Sequence, residues 1–504
     1  MKRIILFGAL ALTAFSCQDD LQISQPTTEQ TPLTRTAIDL AVETHLQQTD
    51  TPFDWAAADD NFVWSALAAS ENHAVLGYQP AGFQNLDDRI HEIDVMAGEW
   101  KTVRDELVTD LRTATERLTG ETVSEDDLLL VADDGALPIL EIKVLHPGIL
   151  AEFRNRADVR YLEPSNYTAG EITLRSGSGC SEAPSSSVDP ADFTTITPGA
   201  KVPWNYATMN VEQAWNSSQG AGIGIAVIDS GVYPEQDNLS DEFDGGFSTN
   251  RSIDKLGFYA PSFWSSRTDG PDDQCGHGTQ MSGLAAAPRT NTGATVGVAY
   301  KANLRTYRAT SDVIINASRE KRGVKNSLID AGRQSGTQVI SMSIGDVFSS
   351  GTVEDGINYA HNRGKMILCA AGTSLTWTSW YGVIFPANLD NTVAVTGVRE
   401  GLPFKRCDNC HDGSQVDFVT VMQRRDDTDR LTLTLSRYDA TPGYVGGSSA
   451  ATATTAGVAA LVWATNPGQT REQVLDRMKA ASSVYPGRDG DFGWGIIDAN
   501  LAVN

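Results

Sequence analysis

The chain has 504 residues and a formal charge of −25, with 64 Asp and Glu against 39 Lys and Arg. That acidic balance argues against a nucleic-acid partner, and no basic patch with interleaved aromatics occurs along the sequence. A hydrophobic content of 40% is enough to build sizeable cores, and the length predicts more than one domain.

Lys2 and Arg3 precede an apolar run over residues 4–15, too short to span a bilayer, so residues 1–16 read as a signal peptide. No other apolar run is long enough to cross a membrane. Ser16 followed by Cys17 resembles a bacterial lipoprotein processing site, which would leave Cys17 as the lipidated first residue; ordinary secretion is the alternative. Gln18-Asp19-Asp20 resembles the acidic tag that follows the lipidated Cys of some surface-exposed lipoproteins. The expectation is an exported protein, at the outer membrane or cell surface, touching membrane only through a lipid anchor. Residues 17–52 are polar and rich in Thr and Gln, and read as a tether.

Residues 53–85 read as a helical stretch (Phe62, Val63, Trp64, Leu67) followed by a loop containing Gly and Pro. From about residue 89 a repeating order appears. Residues 89–95 alternate like a strand, and residues 99–118 place Trp100, Val103, Leu107, Leu111 and Leu118 at helical spacing. Residues 128–132 and 139–145 read as strands flanking the hairpin signal Asp133-Asp134-Gly135. Residues 147–156 form a short helix with Pro at its start, and residues 159–162 a last strand. The order β-α-β-β-α-β predicts an α+β ferredoxin-like plait within residues 53–165. Residues 176–187, almost all Ser, Gly and Pro, cannot pack a core and place an exposed linker at 166–198.

From residue 199 to 504, strands alternate with helices, which predicts a parallel sheet covered on both faces. Strands are expected at 223–228, 304–308, 339–343, 366–370, 391–398 and 416–421, and helices at 280–287, 323–333, 353–362, 472–482 and 499–503. A polar insertion fills residues 230–273, and residues 431–438 alternate as an extra hairpin.

Three motifs stand in this frame. Asp229-Ser230-Gly231 ends the first strand. Gly276-His277-Gly278-Thr279 opens a helix. Gly446-Gly447-Ser448-Ser449-Ala450-Ala451-Thr452-Ala453 turns into a long segment of small residues. Two glycines permit a tight turn, and Ser449 then sits at a helix start, where free N–H groups favour negative charge. A serine nucleophile needs a base, and the base a third group to orient it; Asp, His and Ser supply these in the chain order of the subtilisin arrangement. Together with Phe492-Gly-Trp-Gly-Ile-Ile-Asp-Ala, these motifs make the last three-fifths of the chain resemble the subtilisin family of serine peptidases.

The resemblance implies a subtilisin-like α/β catalytic domain and hydrolysis of peptide bonds in proteins through an acyl-enzyme. Ser449 would be the nucleophile, His277 the base and Asp229 its orienting carboxylate. The plait resembles the family's propeptide, an intramolecular inhibitor removed by a cut that we place between Glu163 and Pro198. Ser343-Ile344-Gly345 resembles the edge that pairs with an extended substrate, and Ala370-Ala371-Gly372-Thr373 the segment that carries the oxyanion-hole Asn, with Ala371 and Gly372 beside the substrate. Here Thr373 replaces that Asn, leaving the Ser449 backbone N–H as the other donor. Losing one such donor typically costs about 3 kcal/mol, so a catalytically weak or inactive peptide-binding protein is the alternative reading. Ser448 and Ala453 also depart from the family's usual Thr and Pro. No cofactor is required; calcium is common in the family, but the scattered Asp and Asn residues single out no ligand set.

Of the six cysteines, Cys407 and Cys410 with His411 fit the haem-attachment spacing and half a zinc site, but in an oxidising compartment a short-loop disulfide is expected. Cys369, in an apolar strand, reads as a buried free thiol. Cys180 and Cys275 remain as a candidate pair tying the linker near His277.

Overall fold

The computed structural model describes residues 31–131, 135–169, 180, 188–262, 267–373 and 382–504. The signal segment and Cys17 therefore lie outside the described residues, as do most of the linker and the turn at Asp133 and Asp134. Residues 32–504 form one compact unit. No helix among the described residues is long and apolar enough to cross a membrane.

The first element corrects the extent of the expected tether. Helix α1 (Arg35–Thr49) buries Ile38, Val42 and Leu46, spaced by one helical turn, against the core of the N-terminal region. Three of the plait's four expected strands form, and the first of them is elsewhere than expected. Strand β1 is His73–Tyr78, within the stretch read as helix and loop, followed by α2 (Gly98–Thr119), β2 (Ile139–Lys143), α3 (Gly148–Phe153) and β3 (Val159–Pro164). The sheet order is β2-β1-β3, all antiparallel, and Leu129 adds a single bridge to Ile142 at the outer side of β2. Of the strand expected at 128–132, the described residues 128–131 supply one bridged residue. Residues 89–95 form no strand: Leu86–Arg89 is a helical turn, and the Asp94 carboxylate accepts from the Met96 N–H at 2.9 Å, which fixes a turn instead. Their alternation reflects a turn with Ile90 and Val95 tucked inward.

In the second half a seven-stranded sheet runs in the order β10-β9-β8-β7-β4-β6-β5, every neighbouring pair parallel. The strands are β4 (Gly224–Asp229), β5 (Ile253–Gly257), β6 (Asn303–Arg308), β7 (Thr337–Met342), β8 (Met366–Ala370), β9 (Val393–Arg399) and β10 (Phe418–Gln423). The helices that matter below are α4 (His277–Ala286), α5 (Ser318–Arg333), α6 (Gly351–Asn362) and α7 (Gly447–Ala464). Strand β5 lies in the stretch read as an insertion. The hairpin expected from 431 forms as Thr432–Leu435 against Pro442–Val445. A second hairpin, Phe193–Ile196 with Ala200–Pro203, starts the C-terminal half inside the stretch assigned to the linker.

Alternate residues of β4 serve opposite cores. Ile225 and Val227 pack with α4 and α7, whereas Ala226 and Ile228 pack with residues of α5 and α6. Helix α7 is buried along almost its whole length, which its run of Ala, Thr, Val and Gly permits. Strand order reverses around β4, and the carboxyl end of such a strand opens onto the crevice where α/β sheets bind ligands. Asp229 is its last residue.

The plait docks on α5 and α6. Arg322 and Glu141 form a buried two-pronged pair at 2.8 and 2.5 Å, and the Glu163 carboxylate accepts from the Gly351 N–H at 2.9 Å, at the start of α6.

Candidate active site

Asp229 and His277 meet although 48 residues separate them. His277 is the first residue of α4, preceded by Gly276 at φ 92°, and its Nδ1–H donates to the Asp229 oxygens at 2.8 and 3.0 Å. Both side chains are buried, so water does not compete for the bond. The close approach needs glycine next to the histidine: a Cβ on Gly278 would stand 2.3 Å from the Gly231 carbonyl oxygen. Burial pulls the imidazole pKa down, but the charge and hydrogen bond of Asp229, with the nearby charges of Asp273 and Asp312, outweigh it and hold the pKa above its usual value.

Asp273 was not singled out from the sequence, yet it builds the turn that aims His277. It accepts from the backbone N–H groups of Cys275, Gly276 and Thr279 and from the Thr279 hydroxyl, at 2.7–3.0 Å. The Ser230 hydroxyl also donates to it at 2.9 Å while accepting from the Gly278 N–H, which ties the end of β4 to the start of α4. An acidic residue four positions before His277 was the available signal. Cys275 in this turn is disulfide-bonded to Cys180, and Cys407 to Cys410; Cys369 is free and buried, with its thiol pKa pushed up by burial.

Ser449 lies in the first turn of α7, after Gly447 at φ 81°. Its hydroxyl faces the same cleft of about 300 Å³ as His277, donating at 3.4 Å to the Ser343 carbonyl. The Ser343 hydroxyl in turn donates to the Ser449 carbonyl at 3.0 Å. No hydrogen bond joins Ser449 to His277 among the described residues. Ser343, Ile344, Gly345, Gly372 and Thr373 line the cleft too. Ala371 does not: it is buried behind, its N–H bonded to Val395.

Two further relationships alter the expected picture. The Gly345 N–H donates to Val313 O and its carbonyl accepts from Ile315 N–H, both at 3.0 Å, so the backbone edge expected to be free at Gly345 is already paired. The Thr373 hydroxyl lies 3.0 Å from Ser448 Oγ, and the Gly372 N–H donates to that same oxygen at 3.2 Å. Thr373 is thus turned onto the Gly447-Ser448 turn. His411 forms part of the cleft wall, a role the sequence did not suggest. Its ring bonds the Gly382 carbonyl at 2.9 Å, and burial lowers its pKa to about 4. A Cβ on Gly372 would stand 2.5 Å from this ring, which demands glycine there.

The profile of the Subtilase family matches residues 220–495, which is more than half of the chain and holds every group just described except Cys180. The chain belongs to the subtilase family. Among curated relatives it is 28% identical over 317 residues to the minor extracellular protease Epr of Bacillus subtilis (strain 168), covering 61% of this chain and 44% of Epr. It is 30% identical over 190 residues to thermitase of Thermoactinomyces vulgaris (37% and 59%) and 29% identical over 309 residues to a thermostable alkaline protease of Halalkalibacterium halodurans (61% and 75%). The chain thus spans about half the length of the first two. Of solved structures, sphericase aligns with a TM-score of 0.46 at 22% identity, covering 57% of this chain and 96% of its own. The fold of this subtilase is subtilisin-like.

Proposed function

We propose that this subtilase is a serine endopeptidase made as a self-inhibited precursor. One observation carries the reading: an imidazole held by a buried carboxylate shares one cleft with a serine hydroxyl at a helix start. Ser449 Oγ attacks the scissile carbonyl as His277 takes its proton. Asp229 keeps the imidazole in the tautomer that accepts at Nε2 and stabilises the imidazolium that forms. His277 then gives the proton to the leaving amine, and water repeats the sequence on the acyl-enzyme. Rotation of the Ser449 hydroxyl away from Ser343 O, toward His277, precedes attack. The plait acts as the inhibitory propeptide, supported by its buried ion pairs on α5 and α6. Export of the chain is supported by relatives named as extracellular; lipidation of Cys17 is part of the same proposal.

A fluorophosphonate probe tests the nucleophile. The wild-type protein should be labelled at Ser449 and shortened within the linker by intact mass, whereas Ser449→Ala should be neither. An unlabelled, unprocessed wild-type protein overturns the reading.

Thr373 supports a second reading, a weak enzyme that holds peptides longer than it cuts them, because its hydroxyl is engaged by Ser448. Slow but measurable turnover with tight peptide binding would favour it.

A further inference from the structure

Upstream of the plait, residues 50–55 dock on the catalytic half independently of β1, β2 and β3. The Phe53 N–H donates to Val347 O at 2.8 Å, and the Ser349 N–H donates to Phe53 O at 3.0 Å, so Phe53 adds one strand residue beside residues 347–349. Between these two bonds Phe348 projects into a cage. Trp55 stacks on it with centroids 5.2 Å apart and planes at 10°, while Phe53 and Tyr167 meet it edge-on, each at 6.0 Å. Phe348 is only 2% exposed for that reason. The Asp50 carboxylate adds a further tie, accepting from the Gly382 N–H at 2.7 Å.

This segment of the rim is continuous with the cleft, because Asp346 and Val347 line it. At Gly345 the strand-pairing groups are spent on Val313 and Ile315, within the catalytic half itself. At Val347 and Ser349 they are spent on a residue of the N-terminal region, which leaves when the precursor is processed. Departure frees one C=O, one N–H and a large aromatic face next to the cleft, the combination by which sheet edges bind extended peptides.

Resting on the peptidase reading, we infer that residues 347–349 are an accessory peptide-binding edge for an extended substrate segment with aromatic side chains two positions apart. Phe53-Asp54-Trp55 is its built-in mimic. The backbone pair sets the register, and Phe348 selects aromatic over polar side chains by stacking.

The test has two arms. In full-length Ser449→Ala, the added changes Phe53→Ser and Trp55→Ser uncover the edge while Glu141, Arg160 and Glu163 keep the plait docked. A labelled synthetic peptide of residues 49–58 is titrated by fluorescence anisotropy. It should bind this variant and not the Ser449→Ala parent, and the same peptide with Ser at both aromatic positions should bind about tenfold more weakly. No binding to the variant, or equal binding of the two peptides, overturns the edge. In the second arm, processed wild-type enzyme should show a KM about tenfold lower for substrates carrying an upstream Phe-x-Trp than for Ser-x-Ser counterparts. Phe348→Leu should remove that preference. Peptide binding without any turnover keeps the edge and removes the peptidase reading. Turnover with no such preference overturns the use of the edge by substrates.

Discussion

Arg160 and Asp355 meet across 195 residues of chain in two parallel hydrogen bonds of 2.8 Å, and the Asp355 carboxylate is almost wholly buried beneath them. The Tyr161 hydroxyl donates to the same carboxylate at 2.9 Å, its ring lying against Gly77 and Gly351, where any Cβ would clash. Removing one partner of such a pair strands a buried charge, at a cost of about 3–5 kcal/mol. Arg160→Ala should therefore loosen the N-terminal region by more than about 100-fold. Inhibition of processed enzyme by the separately added N-terminal piece would measure this; an unchanged inhibition constant would assign the hold to other contacts.

In the proposed mechanism the raised pKa of His277 sets the acid limb of activity. The base must be neutral, so kcat/KM should rise with pH through a value above the ordinary histidine pKa of about 6.5. Asp229→Asn removes the charge that raises it, and the limb should move down while kcat falls about 10⁴-fold. For stability the sign is opposite: the protonated imidazole is favoured by folding, so its contribution is complete below the unfolded pKa and is lost as pH rises through the folded one. A pH–rate profile of both proteins with a short chromogenic peptide checks the first two statements.

Thr373→Asn places a longer donor beside Ser449. It should raise kcat on the order of 100-fold with little change in KM, because an oxyanion donor acts in the transition state. A parallel fall in KM with no change in kcat would instead mark a ground-state contact.

Glu163 gives the precursor a pH response. Burial raises its carboxyl pKa to about 7, against the opposing influence of Lys321 and the Gly351 N–H and with Asp54 and Asp355 adding to the rise. The docked state therefore favours the protonated acid: its hold is greatest below the free carboxyl pKa of about 4.3 and weakens as pH rises toward about 7. Release of the N-terminal piece should be faster at pH 8 than at pH 5, and Glu163→Gln should flatten that dependence, as followed by native mass spectrometry.

Six of the seven strands of the parallel sheet were readable because both of their faces are buried and their apolar runs are bounded by polar turns, as at Met366–Ala370; β5, only partly buried within a polar stretch, was not. The three motif residues were readable because glycines enforce their turns. Strand His73–Tyr78 is just as buried, but only residues 69–72 separate it from the helix Asp60–Ala68, so the run blends into that helix. Helix Arg35–Thr49 was hidden by its polar composition, since only Ile38, Val42 and Leu46 mark its inner face. Asp273 left one signal, its place four positions before His277. His411 acts through a backbone group brought close by the fold, and the pairing of Gly345 with Val313 depends on a loop conformation; nothing in residue type announces either.

If the chain is processed as proposed, the bond between Cys180 and Cys275 makes the position of the cut decisive. A cut on the amino-terminal side of Cys180 would liberate the plait and leave a short tail stapled beside the histidine turn. A cut on the other side severs the backbone without separating the products, which stay covalently joined until a thiol reduces the bridge. The same peptidase would then answer to a reductant, and hydrolysis alone would not set it free.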